Sequence, residues 1–367
     1  MKRCTKCVMP DTRPGLTFNE DGVCQACVRH ENRKNVDWEK RWEELNQLCL
    51  IHKGSTRWYD CIIPVSGGKD SHFQVKTMKE DMGMNPLLVN VSNFSWTDVG
   101  KQNYNNMLEQ FDCECISLDL SPATAKKMFR YSFEKYGAPT WYWDRAVYTY
   151  PLWIAKALAI PLVVYGENIS YEYGGPEAED SSSAKNQLLN DVACEYSDEQ
   201  FAEAGVPPER RNILNPPPLD GLEPVYLSYY APWSGLRNRI LSEAYGFRQL
   251  PEWEARDGYI EQYDQIDAVG YLVHCWMKYP KYGHARATDV ASYWIRDGII
   301  SRERAMELVE KHDHKLDARV MHDFCDFCGY TIDEFWNIVY KHKADYVDLK
   351  NDNLLHTSEG NFGTIAR

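Results

Sequence analysis

The chain has 367 residues, enough for two domains or for one large domain with appendages. Its 41 Lys and Arg stand against 54 Asp and Glu, and the net charge of −13 weighs against a nucleic-acid partner, because such proteins carry a basic stripe for phosphates. No apolar run approaches the roughly 18 residues of a membrane span, and the charged opening stretch does not read as a signal peptide, so a cytoplasmic protein with no membrane span is expected.

Twelve cysteines are few for a disulfide scaffold of this length, and in a reducing compartment clustered pairs read as metal ligands. Cys4-x-x-Cys7 and Cys24-x-x-Cys27 are separated by sixteen residues that hold Pro10, Pro14, Gly15 and Gly22 and no long apolar run. This spacing predicts a zinc ribbon over residues 1–35, with Zn²⁺ held by Cys4, Cys7, Cys24 and Cys27. A segment this short cannot bury a core, so the metal would replace one. Four protein ligands leave no open position, which makes this zinc structural rather than catalytic.

Trp38, Trp42, Leu45 and Cys49 recur at helical spacing and predict a helix over residues 37–50. A buried strand over 59–65 follows, then the turn Ser66-Gly67-Gly68-Lys69-Asp70-Ser71, then a helix over 72–82. Adjacent glycines let backbone N–H groups approach an anion, the two serines add hydroxyl donors, and the helix would point its positive end at the same spot. The turn is not of the G-x-x-x-x-G-K-[ST] type, since its glycines are adjacent and it contains an acid. A carboxylate beside phosphates makes sense with a divalent metal between them, which nominates Asp70 as a Mg²⁺ ligand.

Further strands are expected over 86–91, 115–118 and 161–165, and helices over 98–111, 123–136 and 147–159. The alternation indicates an α/β fold with a doubly wound parallel sheet, whose ligands bind at the carboxyl ends of the strands. That rule nominates the loops 66–71, 92–97 and 166 onward. In the last, Glu167 and Asn168 are candidates to hold a metal or polarise an acceptor, and Glu172 to act on a proton. Residues 176–224 break the pattern and read as an inserted lid, with some helix near 198–204. The aromatic run 226–233 suits core packing better than a pocket lining.

Between residues 278 and 289, Lys278, Lys281, His284 and Arg286 gather with no acid until Asp289, which suggests an anion site. Thr288 and Ser301 are expected to cap the two helices that follow. Cys325 and Cys328 lack a second pair and read as packed core thiols, and residues 350–367 as a polar tail that frays. The expected organisation is therefore a ribbon at 1–35, a nucleotide-binding domain at 50–265 with its lid at about 176–224, and a helical C-terminal region at 266–367.

S-G-G-x-D-S after a strand resembles the PP-loop of the ATP pyrophosphatases, which implies a HUP-like, Rossmann-like sheet that binds ATP. Ser66, Gly67, Gly68, Lys69 and Ser71 would then surround the pyrophosphate and Asp70 would lie near Mg²⁺. Taken with the paired C-x-x-C knuckles, Y-G-E-N followed by E-Y-G-G, and K-Y-P-K-Y-G-H-A-R-A-T-D, the chain resembles the N-acetyl sugar amidotransferases of bacterial surface-glycan synthesis. The resemblance implies conversion of an acetamido group to an acetamidino group through adenylation and attack by ammonia. Catalysis would rest on Asp70 and Lys69, with Glu167 or Glu172 as base. The acceptor, an N-acetyl sugar or sugar nucleotide, would meet Asn168, Tyr173, Lys278, Lys281, His284 and Arg286, placements that follow from sheet topology and charge.

Lys2 follows Met1 where an N-terminal-nucleophile glutaminase needs cysteine, and no nucleophile elbow is present. The resemblance accordingly implies a separate ammonia supplier, a glutaminase and cyclase pair similar to that of histidine synthesis. Two alternatives remain at this level: a tRNA-thiolating PP-loop enzyme, which would need a basic RNA face, and a non-catalytic nucleotide-binding scaffold.

Overall fold

The computed structural model describes residues 1–175, 180–186 and 195–349. Strand β1 (Cys61–Pro64) is apolar toward both faces because it lies at the centre of the sheet: Ile62 enters one core cluster and Ile63 the other, both fully buried. Around it stand β2 (Pro86–Val91), β3 (Cys115–Leu118), β4 (Leu162–Tyr165) and β5 (Glu223–Tyr226), all parallel, in the order β3-β2-β1-β4-β5. The expected doubly wound α/β fold is present. The order reverses between β1 and β4, so the loops after these two strands diverge and open a crevice at their carboxyl ends.

Helices cover both faces. Trp38–His52, Lys69–Lys76 and Asp98–Phe111 supply one core with Leu45, Phe73 and Met107, and Trp141–Leu158 supplies the other with Leu152 and Ala155. The helix after β1 begins at Lys69 rather than at 72 and ends in a π turn over Thr77–Asp81. The helix expected at 147–159 starts earlier, at Trp141.

The expected lid needs correction at its end. β5 lies across the boundary placed at 224, and its proline-flanked sequence hides it: Pro224 stands where only an edge strand tolerates a missing N–H. The outer edge of β5 is covered in turn, because Ala184 N donates to Pro224 O at 2.8 Å and Tyr226 N to Ser182 O at 2.9 Å. The expected helix near 198–204 is Asp198–Glu203, begun by a capping box between Ser197 and Gln200. Residues 176–179 and 187–194 of the lid, and the tail expected to fray over 350–367, lie outside the described residues.

Cys4, Cys7, Cys24 and Cys27 meet in a buried cluster at the N-terminus. At the other end of the chain, the helices Leu272–Tyr282, Arg286–Arg296, Arg302–His312, Ala318–Cys328 and Ile332–His342 form the helical C-terminal region. Ser301 caps its helix by accepting from Arg304 N, as expected. Thr288 does not cap: the helix begins two residues earlier, and Thr288 is buried with its N–H and hydroxyl both given to Asp313. Cys325 and Cys328 are buried thiols in the largest hydrophobic cluster. Among the described residues no helix is long and apolar enough to cross a membrane.

The C-terminal helices share their core with Pro122–Tyr136, a helix that follows β3. Phe133 is the joint: it is fully buried, with ring centroids 5.3 Å from Phe324 and 5.4 Å from Phe335. Phe133→Ala is expected to cost about 3–5 kcal/mol of stability, read as a lower urea midpoint, because the cavity would sit between two packed layers that cannot both collapse into it.

Candidate functional site

The turn after β1 forms a loop closed by its own hydroxyls: Ser66 N donates to Ser71 Oγ at 2.9 Å and Gly68 N to Ser66 Oγ at 3.3 Å. Gly67 has φ +88°, and a Cβ there would stand 2.7 Å from Tyr104 Cα, so both its backbone angle and its close approach require glycine. Beside this loop lies a cavity of about 260 Å³. Ser66, Asp70 and Ser71 line it from the turn and helix after β1, Asn90 from β2, and Tyr165 and Glu167 from the end of β4 and the loop after it, so it occupies the crevice at the point where the strand order reverses. Gln265 and Asp267 close it, from a segment that crosses the end of β2 by pairing Trp96 with Ala268. Gln265 takes a left-handed φ of +50° there.

Charges at the cavity edge are arranged in a chain. Asn238 Nδ2 donates to Asp70 Oδ1 at 2.8 Å, and Lys69 Nζ donates to Asp70 Oδ2 at 2.7 Å. Lys69 also pairs with Asp264 Oδ1, while Arg286 pairs with Asp264 Oδ2 and donates to Tyr173 Oη at 3.2 Å. Burial alone would depress the pKa of Lys69, but Asp264 and Asp70 outweigh it and hold the ammonium well above the ordinary lysine value. Burial likewise opposes the charge on Asp264, yet Lys69 and Arg286 hold its carboxyl well below the usual range. Glu167 forms no such ion pair among the described residues, and the pull of Lys69 on it is weaker than the effect of burial. Burial, reinforced by the charge of Asp70, pushes it up to about 7.

Of the residues expected at the site, the structure brings together Ser66, Gly67, Gly68, Lys69, Asp70, Ser71, Glu167, Tyr173 and Arg286. Others are engaged elsewhere. Asn168 caps the short helix Ile169–Tyr173 by accepting from Tyr171 N at 3.1 Å. Glu172 is ion-paired with Arg33, and burial raises its pKa against that pull, so between the two candidate bases only Glu167 faces the cavity.

The anion site expected from residues 278–289 does not form as one patch, because helical geometry sends its cations in different directions. Lys278 pairs with Asp289, which Arg13 also approaches at 3.4 Å. Lys281 Nζ donates to Tyr136 O at 2.9 Å. His284 is fully buried, and that burial pushes its pKa down to about 3. Arg286 alone of the four reaches the cavity-edge chain. The residues missed were Asn238, Asp264, Gln265 and Asp267, single polar positions in loops or helix ends with no motif to mark them.

The four-cysteine cluster has the geometry for a tetrahedral ion. Its Sγ atoms lie within 4.8 Å of one another, with Cys4 to Cys27 at 4.0 Å and Cys7 to Cys24 at 3.7 Å. A tetrahedron built on Zn–S bonds of about 2.3 Å has edges of about 3.8 Å. Nearby carbonyls are tied down, since Arg302 donates to Cys4 O and Cys7 O at 3.1 Å.

Residues 257–360 match the family model for the C-terminal domain of WbpG-like LPS biosynthesis proteins. That segment carries Asp264 and Arg286, so the match reaches the cavity edge. An uncharacterised protein of Methanocaldococcus jannaschii is 26% identical over 118 residues, which span 32% of this chain and 42% of that protein. A superposition on the structure of NMN synthetase from Francisella tularensis covers 59% of this chain and 89% of that one, at 14% identity and a TM-score of 0.29, too low for either fold or activity to be carried over.

Asp264→Asn would leave the largely buried Arg286 facing a neutral amide and Lys69 with Asp70 as its remaining counter-ion. We expect a loss of about 3–5 kcal/mol at pH 7, measured by urea unfolding. Because the folded pKa of Asp264 is depressed, its contribution is present above the ordinary carboxylate range and disappears as pH falls, so the gap between wild type and variant should narrow below about pH 4.

Proposed function

We propose that the protein is an ATP-dependent, AMP-forming carbon–nitrogen ligase that converts the acetamido group of a sugar or sugar nucleotide into an acetamidino group in surface-polysaccharide synthesis. The observation that supports this reading best is the meeting of Ser66, Ser71, Asp70 and Glu167 around one cavity at the sheet's switch point, in a chain that also matches an LPS biosynthesis family model over residues 257–360.

The chemistry follows from the leaving groups. An amide oxygen leaves poorly, so it first attacks the α-phosphorus of ATP, forming a P–O bond as the bond to pyrophosphate breaks. Ammonia then adds to the activated carbon, and AMP departs with the original oxygen. Loop 66–71 and the Lys69 ammonium grip the pyrophosphate. Asp70 would hold Mg²⁺, which would offset charge on the phosphate oxygens. Glu167, with a pKa near neutrality and a place in the cavity wall, takes the proton that ammonia loses. Ammonia itself comes, in this reading, from a separate glutaminase and cyclase pair.

Mass spectrometry of N-acetyl sugar nucleotides incubated with the protein, ATP, Mg²⁺ and ammonium is expected to show a product with NH in place of O, together with AMP and pyrophosphate. Absence of that product across the panel would sink the proposal. Asp70→Ala is expected to lower kcat by about a hundredfold or more with an unchanged circular dichroism spectrum. Because a base works ionised, kcat should rise as pH passes through about 7, and Glu167→Gln should remove that rise.

A further inference from the structure

The cavity of about 260 Å³ beside the loop is small for a nucleotide and a sugar together. A second concavity lies across the Lys69–Asp264 pair. This open groove of about 660 Å³ is lined by Arg239, Leu250, Trp253, Glu261, Tyr263 and Trp294, among others. Its nearness to the loop is direct: Lys69 Nζ lies 5.8 Å from the centroid of the Tyr263 ring, and Asp264, which binds Lys69, is the next residue.

The floor of the groove is built and its mouth is not covered. Leu250, Tyr263 and Trp294 belong to one small core cluster, and Trp294 Nε1 donates to Tyr263 Oη at 3.1 Å, which fixes both rings. Trp253 is 84% exposed, an arrangement that costs apolar hydration unless something covers it. Polar side chains around the same place are only partly satisfied, although Arg239 pairs with Glu243 at 2.8 Å. Among the described residues, Arg239 Nε, Glu261 Oε1 and Gln262 Oε1 are buried and make no hydrogen bond. Glu261 is 7% exposed; its Oε2 accepts from Tyr263 N and Asp264 N, each at 2.7 Å, while Oε1 has only Arg256 at 3.6 Å.

The open indole face of Trp253, beside the amides of Gln249 and Gln262 and the carboxylate of Glu252, matches a ring that is apolar on its C–H face and carries hydroxyl donors at its rim. Arg239 is paired with Glu243 and Glu261 faces Arg256, so the described lining offers no uncompensated cation to draw a phosphate or a nucleic-acid backbone, and Glu252 adds a negative charge. We infer that this groove is the acceptor subsite and that it seats the pyranose ring of the N-acetylated sugar, stacked on Trp253. The inference rests on the amidotransferase reading for its sugar, and on the groove alone for its place.

Saturation-transfer NMR tests it, with N-acetylglucosamine, N-acetylgalactosamine and N-acetylmannosamine, free and UDP-linked, as probes. Wild-type protein is expected to transfer saturation to the pyranose C–H protons of at least one of them. Trp253→Ala, which should melt at the wild-type temperature because the side chain is exposed, is expected to weaken binding by about tenfold or more, and Trp253→Phe to restore it. Transfer that survives Trp253→Ala undiminished overturns the subsite and leaves the amidotransferase reading standing. No transfer to any probe overturns the subsite as well. Transfer that depends on Trp253 in a protein that yields no amidine supports the groove as a sugar site and sinks the proposed reaction instead.

Discussion

The arrangement of the site depends on one buried contact, the carboxylate of Asp264 held between Lys69 and Arg286. Lys69 belongs to the loop after β1, Arg286 to the first turn of a C-terminal helix, and Asp264 to the segment that closes the cavity. One carboxylate thus fixes three parts of the chain that are far apart in sequence. A desolvated triad of this kind contributes little net stability over an apolar substitute, but it strongly penalises any arrangement that leaves a charge unpaired. Its effect is to set geometry. Lys69 carries two carboxylates, and in the proposed reaction it would give one up for phosphate oxygens while Arg286 keeps Asp264 neutralised.

Asp70 and Glu167 differ because this triad is asymmetric. Lys69 contacts Asp70 directly, and Asn238 donates to its other oxygen. Glu167 receives the negative charge of Asp70, and burial with that charge outweighs the opposing pull of Lys69 and pushes it up to about 7. Two carboxylates of one cavity thus stand in different surroundings: Asp70 against an ammonium and an amide donor, Glu167 where burial raises its pKa.

The sheet was legible because each of its first four strands is an apolar run bounded by turn residues, and the bounds expected for 86–91, 98–111 and 115–118 coincide with those observed. β5 was not, because its identity comes from a slot beside β4 rather than from its own proline-flanked sequence. The same distinction separates the site residues. Loop 66–71 is a local motif whose glycines and hydroxyls act on their own backbone, so sequence reveals it. Asp264 acts only through Lys69 and Arg286, and no spacing in the chain announces a partner nearly two hundred residues away. The cation cluster at 278–289 misled for the converse reason: residues adjacent in sequence diverge around a helix, and Lys278 had its counter-ion, Asp289, on the next helix.

The four-cysteine cluster sits far from the cavity in sequence and beside it in space. Its helix, Gln25–Asn32, with the turn that follows, reaches the loop after β4 through Arg29, which donates to Ser170 O at 3.1 Å, and through Arg33, which pairs with Glu172. From the knuckle between the cysteine pairs, Leu16 fills the space a side chain at Gly174 would need, since a Cβ there would lie 2.4 Å from Leu16 Cδ1. Arg13 stacks 5.3 Å from the Tyr173 ring and also meets Asp289. The loop that presents Glu167 to the cavity is therefore backed by the ribbon along its whole helical turn. An ion held by all four cysteines would have no coordination position to offer a substrate, and these contacts give the cluster a role that needs none: it fixes the wall on which Glu167 stands.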